Sequence, residues 1–342
     1  MVRFLLWKRT FAFLYLFGMM KISISDVKRR RDMAAKVLMV GSINMDLILQ
    51  MPHVPEAGET TNGSCYSNAG GGKGANTAIA AAKAGAKVSV CGAVGDDANG
   101  HILYDSLKEA DIDVSHIRVI PDANTGMAAI MVEEDGQNRI VVYPGTNYMI
   151  SEEDVKASFE GEEYDALTMQ FEIPIERVIQ AYCLAKERGM VTCIDCGPKG
   201  DWPLEEFDGV TIISPNETEC QALTGILPTD QASCLEAAKK LQKRCHCKYA
   251  VLKIGEKGSY IYGDGISELV PAYKVKAIDT TAAGDCYTGV LLTRYVETGD
   301  ILNAARYATA ASAIAVQTLG AQPSLPDRKA IENFLENVAQ IR

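Results

Sequence analysis

From Val37 onward, short apolar and β-branched runs alternate with amphipathic helical stretches, and no other feature narrows the fold of this chain so far. VLMVG, VSVCG, ALTMQ, VTCID, VTIIS and AVLKIG read as strands. Between them NTAIAAAKAG, HILYDSLKEA and IERVIQAYCLAKERG carry helical periodicity, and two of these three end at a glycine stop. The expected fold is α/β: a doubly wound, mostly parallel sheet flanked by helices on both faces.

Two segments interrupt the alternation. Residues from about 47 to 70 and from about 125 to 145 lack helical period, and the second sets Asp135-Gly136 between two apolar runs, a hairpin signal. They read as a small β-sheet projecting from the main layer as a lid. So small a sheet is marginal alone in water, so such a lid closes over a ligand or covers a partner's lid.

A chain of 342 residues that is 47% hydrophobic buries a large core, as one big domain with a small appendage. Its net charge of -10 argues against nucleic acid, which demands clustered Lys and Arg. The ten cysteines lie mostly in apolar runs and read as small buried hydrophobes, which suits a reducing cytoplasm. Cys193 and Cys196 with Cys245 and Cys247 could be drawn as a zinc site, but Cys193 falls in a strand and CHC has the wrong spacing, so structural cysteine is the better reading.

Residues 1–32 do not conform to the rest. The apolar run Phe11 to Met20 is half the roughly 20 residues of a membrane span, so no membrane partner is expected. Lys8 and Arg9 leave a signal-like reading open, although neither the order of charge and apolar run nor a small-residue cleavage site is clear. The other reading takes Met33 as the start of the protein, with Arg29 to Arg31 as purine-rich codons upstream of it, and leaves 1–32 untranslated or disordered.

AGGGKGAN (Ala69 to Asn76) invites a phosphate-binding interpretation and fails both standard patterns. Gly74, not Ser or Thr, follows Lys73, and Ala75 and Thr77 stand where the last glycine of a dinucleotide fingerprint would fall. What remains is a turn whose backbone approaches a ligand closely, or simply leads into a helix starting near Asn76. DTTAAGDCYTG (Asp279 to Gly289) is more informative: Ala282, Ala283 and Gly284 open a helix with free backbone N–H groups, an anion cradle. Asp285 in that first turn either caps the helix or accepts a proton beside a phosphoryl group. Cys286 follows it, either as a thiol activated by the helix dipole or as a buried inert one.

With GSINMD (Gly41 to Asp46), GGKGAN (Gly71 to Asn76), PNETE (Pro215 to Glu219), DTTAAGD (Asp279 to Asp285) and GAQPS (Gly320 to Ser324) in this order, the chain from about Val37 to its C-terminus resembles the ribokinase branch of the ribokinase/fructokinase (PfkB-type) carbohydrate kinases. The resemblance implies a kinase domain over residues 33–342, phosphorylating D-ribose at O5 with ATP, and a cytoplasmic homodimer joined through the lid. A kinase for another pentose, a nucleoside or a keto-sugar is the alternative, and a non-catalytic sugar-binding regulator the remote one.

It also implies roles. Asn44, Asp46, Gly72, Lys73, Asn76 and Glu172 would contact the sugar, Glu172 having a helix-start carboxylate as its second reading. Asp285 would be the base, and the N–H groups of Ala282, Ala283 and Gly284 would stabilise the transferred phosphoryl. Asn216 and Glu219 would organise Mg2+ through water, or only cap a helix. Lys253, Gly255, Gly258, Gly284, Asn216 and Thr309 would meet ATP, and Asp279, Thr281, Gly320 and Ser324 would surround K+. Two departures from the resemblance stand out: Lys253 where Thr is common, and IDCGP (Ile194 to Pro198) where an Asn-Pro segment is often found.

Overall fold

The computed structural model describes residues 34–135 and 137–341. The readings of residues 1–32 and Met33, and of Gly136 in the hairpin, lie outside them. The apolar runs form the expected sheet. β1 (Lys36–Val40), β2 (Asn44–Met51), β3 (Cys65–Gly71), β4 (Lys87–Gly95), β5 (Ile117–Ile120), β6 (Gly126–Glu133), β7 (Asn138–Tyr143), β8 (Ala166–Gln170), β9 (Val191–Asp195), β10 (Ile212–Ser214), β11 (Tyr249–Lys253), β12 (Gly258–Gly263) and β13 (Ile266–Pro271) are its strands and those of the lid. The main sheet runs β13-β12-β11-β10-β9-β8-β1-β4-β5, parallel from β11 to β5 and antiparallel only at the β12–β13 edge.

Both faces of this sheet are covered. The helices are α1 (Lys73–Lys83), α2 (Ala98–Glu109), α3 (Glu152–Ala157), α4 (Ile175–Glu187), α5 (Glu217–Thr224), α6 (Gln231–Cys245), α7 (Ala283–Thr298), α8 (Ile301–Ala315), α9 (Ala321–Ser324) and α10 (Arg328–Ile341). Along β1, Val37 and Met39 join an apolar layer with α1, α2, α7 and α8, while Leu38 and Val40 join the opposite layer with α3 to α6. A strand buried on both faces must be apolar throughout, which is why these runs do not alternate with polar residues. On the first face α1 and α7 meet at backbone distance: a Cβ added to Gly289 would fall 2.5 Å from the Thr77 carbonyl oxygen.

The lid is a second sheet in the order β3-β2-β6-β7. Its first strand begins at Asn44, three residues earlier than the apolar pattern suggested, so only Gly41, Ser42 and Ile43 separate β1 from the lid. β6 and β7 pair antiparallel from Met127–Tyr143 to Val132–Asn138, as the hairpin signal requires. Among the described residues no helix is long and apolar enough to cross a membrane.

Candidate active site

The loops after β1, β3, β8, β9, β10 and β11, with the start of α7, converge at the C-terminal ends of the parallel strands, where open α/β sheets bind ligands. AGGGKGAN supplies the last residues of β3 and the first of α1. Helix α1 starts at Lys73, not near Asn76, because Gly72 takes φ +86° and turns the chain into the helix three residues sooner. A Cβ at Gly72 would lie 2.7 Å from the Asn44 amide nitrogen, so this turn rests directly on the segment after β1.

Glu172 serves the start of a helix, but of α1 instead of its neighbour α4, whose N-cap is Pro174. Its Oε2 accepts from the Lys73 backbone N–H at 3.2 Å and from the Ser42 hydroxyl at 2.5 Å. Burial raises its pKa, against the pull of the Lys73 ammonium. Asn44 Oδ1 accepts from Asn147 Nδ2 at 2.6 Å, and Asn147 Oδ1 accepts from the Ile43 N–H at 2.9 Å, so the 3₁₀ turn after β7 fixes Asn44. Asp46 is buried, and burial, then the charges of Glu172 and Asp285, push its pKa up to about 7.

At the opposite wall, Ala282 precedes α7 with φ +58°, a strained conformation for a residue with a Cβ. The Ala283 N–H is engaged with the Thr280 carbonyl oxygen at 3.2 Å, which removes it from the expected cradle and leaves those of Ala282 and Gly284 without an acceptor among the described residues. Asp285 makes no capping bond to α7. Its Oδ1 instead lies 3.0 Å from Lys73 Nζ, and its Oδ2 accepts from Asn76 Nδ2 at 2.9 Å. Cys286 is buried, and burial pushes its thiol up to about 12, which favours the inert reading over the dipole-activated one.

Between these walls lies a buried charge chain that the sequence reading missed. Asp195, the last residue of β9, is wholly buried and accepts from Lys253 Nζ at 2.7 Å and from the Thr288 hydroxyl at 2.9 Å, with Lys73 Nζ 3.2 Å away. Burial opposes the Asp195 charge, but Lys253 and Lys73 outweigh it and hold the carboxyl well below its ordinary range. Burial likewise opposes both ammoniums; Asp195 with Asp285 for Lys73, and Asp195 with Glu219 for Lys253, raise them above theirs. The available signal was position: an ionisable side chain closing an apolar parallel strand at the ligand-binding edge. Ser42, Asn147 and Thr288 carried no such signal.

Asn216 and Glu219 form a capping box on α5, the Glu219 N–H donating to Asn216 Oδ1 at 2.9 Å and the Asn216 N–H to Glu219 Oε2 at 2.8 Å. The other carboxylate oxygen, Oε1, faces Gly197, where an added Cβ would meet it at 2.7 Å and Lys73 Cε at 2.4 Å. Burial and Asp195 raise the Glu219 pKa, so a nearby cation would favour its charged form. One free carboxylate oxygen suits a water-mediated divalent ion better than direct ligation. Gly255 lies in a tight turn after β11 with φ +54°, and Gly258 abuts the Val270 carbonyl oxygen.

Asp279, Thr281 and Gly320 come together: Asp279 Oδ1 accepts from the Thr281 N–H and hydroxyl at 2.9 and 2.6 Å, and Oδ2 from the Gly320 N–H at 2.8 Å. Burial raises the Asp279 pKa, but these bonds outweigh it and keep the carboxylate ionised, which suits a hard monovalent cation. Ser324 donates to the Ala321 carbonyl oxygen within its own turn. Thr309 spends its hydroxyl on the Ala305 carbonyl oxygen inside α8 and bonds to none of the other candidates. Of the cysteines, Cys65 and Cys183 are exposed and the other eight are buried, among them Cys193, Cys196, Cys245 and Cys247.

A doubly wound α/β layer with a β lid, and a carboxylate held at a helix N-terminus beside a glycine loop, is the setting in which the family match falls. The chain belongs to the pfkB family of carbohydrate kinases, whose profile matches residues 34–328. It is 36% identical over 306 residues to a ribokinase of Haemophilus influenzae, covering 89% of this chain and all of that one. It is also 31% identical over 306 residues to a deoxyribokinase of Salmonella typhi, covering 88% of this chain and 97% of the other. The structure of Arabidopsis thaliana ribokinase complexed with ribose and ATP superposes with a TM-score of 0.80 at 31% identity, covering 89% of this chain and 99% of that one.

Proposed function

We infer that this chain phosphorylates D-ribose at O5 with ATP. The observation that carries the reading is the Asp285 carboxylate, fixed by Lys73 and Asn76 next to the Gly284 N–H, which has no acceptor among the described residues. A base and an anion-binding group then flank one point, which is what in-line phosphoryl transfer asks of a protein. Asp285 takes the proton of the sugar's primary hydroxyl; Asn44, Asp46, Gly72, Lys73, Asn76 and Glu172 hold the sugar; Asn216, Lys253, Gly255, Gly258 and Gly284 meet ATP. The geometry of Thr309 and of the Ala283 N–H lends those two assignments no support.

Asn216 and Glu219 would hold Mg2+ through water, and Asp279 with Thr281 and Gly320 would hold K+, Ser324 more remotely. Magnesium neutralises triphosphate charge; the potassium site, one turn before Ala282, sets the shape of the anion cradle. The enzyme is a cytoplasmic homodimer joined through the lid. Support for the dimer comes from β7, an edge strand on which Ile140, Val141, Val142 and Tyr143 are all exposed, leaving apolar side chains bare on both faces.

The likeness to a deoxyribokinase favours 2-deoxyribose as a second reading. ADP release is to be measured with ribose, 2-deoxyribose, fructose and nucleosides, in potassium, sodium and cation-depleted buffer. Ribose turnover with potassium activation is expected. Turnover only with another substrate, or activity indifferent to the cation, would refute the ribose or the potassium assignment respectively.

A further inference from the structure

Asp195 and Lys253 are 58 positions apart in sequence, and in the fold they form one salt bridge of 2.7 Å. Asp195 divides its two oxygens: Oδ2 binds Lys253 and Thr288, while Oδ1 faces Lys73, which reaches on to Asp285. Lys253 also leans on the cradle, since a Cβ at Gly284 would lie 3.5 Å from its Nζ. A carboxylate with no exposed surface thus carries two ammoniums, one against the base and one against the phosphoryl-binding turn.

We propose that Asp195 is the positioning residue of the phosphoryl-transfer centre, and that Asp195 and Lys253 act as one pair that adds a fixed cation to the anion cradle. The inference rests on the kinase reading above. An isolated buried lysine would lose its proton or leave the site, and an isolated buried aspartate would draw Lys73 away from Asp285. Together they are neutral, and the ammoniums are charged and oriented before a triphosphate arrives, so no reorganisation is needed during transfer. The charged groups facing Lys253 are Asp195 from β9, Glu219 from α5 and Lys73 from α1, with Thr288 from α7 as the neutral partner.

The test removes the two charges singly and together. Asp195→Asn, Lys253→Thr and the double variant are compared with wild type in steady-state kinetics with ribose and MgATP, each variant being checked for folding by circular dichroism and thermal melting. Wild-type ADP release judges the kinase reading by itself; the variants judge the pair. Asp195→Asn should lower kcat by about 10²-fold, because it leaves two ammoniums on a neutral amide. Lys253→Thr should lower kcat by about tenfold and raise KM for ATP by a similar factor. The double variant should recover kcat to within a few-fold of wild type while KM for ATP stays raised, a split that a merely structural bridge would not produce. Losses in the double variant that equal or exceed the product of the single ones overturn the proposal, as does an unchanged ATP KM in Lys253→Thr. If Asp195→Asn does not fold, a double variant with kcat above that of Lys253→Thr supports the proposal, and one with kcat no higher overturns it.

Discussion

The ammonium of Lys73 stands 3.0 Å from Oδ1 of Asp285, so the glycine loop that opens α1 and the loop that opens α7 are joined by one ion pair across 212 positions of sequence. Asn76, on the same turn of α1, holds the other carboxylate oxygen. Both bonds need an acceptor. In Asp285→Asn one acceptor becomes a donor facing a donor, and the basic site is gone. Turnover should fall by about 10² or more while ribose and ATP still bind, measured by steady-state rates alongside calorimetric titration. Near-normal turnover would sink the assignment of the base.

Recognition of the sugar is expected to depend on Asp46 and Glu172 separately. Alanine at either position should weaken it by about 1.5–3 kcal/mol, the scale of a charge-assisted hydrogen bond. Glu172→Ala should in addition lower the melting temperature, because it uncaps Lys73 and frees Ser42; Asp46→Ala should not. Ribose affinity and kcat/KM unchanged in both variants would count against the site.

Asp46 makes the protein's behaviour depend on pH with a definite sign. Its pKa is about 7 in the folded chain, against an ordinary 3.8, chiefly through burial. Below pH 4 both states hold the proton and nothing is lost. Between about 4 and 7 the unfolded chain ionises while the folded one resists, so stability falls as pH rises, and above 7 the penalty, on the order of a few kcal/mol, is complete. Asp46→Asn should therefore melt several degrees higher than wild type at pH 8 and alongside it at pH 4. Ribose accepted by the ionised carboxylate should bind more tightly as pH rises through 7, and the variant should lose that inflection.

The lid offers a test of assembly. Val141 is 62% exposed at the centre of edge strand β7, so the native chain is expected to sediment as a dimer and Val141→Lys as a monomer. A native chain that sediments as a monomer at micromolar concentration would remove the lid-to-lid dimer.

Thiol chemistry should sort by burial. Iodoacetamide on the folded protein is expected to label Cys65 and Cys183 and to spare Cys286, with activity retained; peptide mass mapping reads the sites. Inactivation tracking Cys286 alkylation, with protection by ATP, would show that the helix terminus prevails over burial after all.

What could be read from the chain and what could not divides along physical lines. The runs ALTMQ and VTCID coincide with β8 and β9 because a strand buried on both faces is marked by continuous apolar character. β5, with Arg118 and Val119 exposed between Ile117 and Ile120, lacks that mark and went unread, as did the antiparallel strand β12 and the edge strand β13 beside it. The motif residues around Asp285 were legible because glycine and small residues before a helix announce an anion-binding turn. Asp195, read as the end of a strand and as part of the departing IDCGP segment but given no role, became visible as part of the site through its partners. Those partners come from α1, β11 and α7, and a pairing among distant elements leaves no local trace.

Gly289 bears on how such enzymes can be recombined. Because its bare Cα lets α7 lie 2.5 Å, measured from a would-be Cβ, from the Thr77 carbonyl oxygen, the two helices share one register, and the loops at their N-termini inherit it. A chimera that takes α1 from a relative and keeps α7 would seat a foreign surface against this contact and shift Lys73 relative to Asp285, even with every motif residue retained. The exchangeable module in this fold is the helix pair, and a crossover placed between residues 83 and 283 divides it.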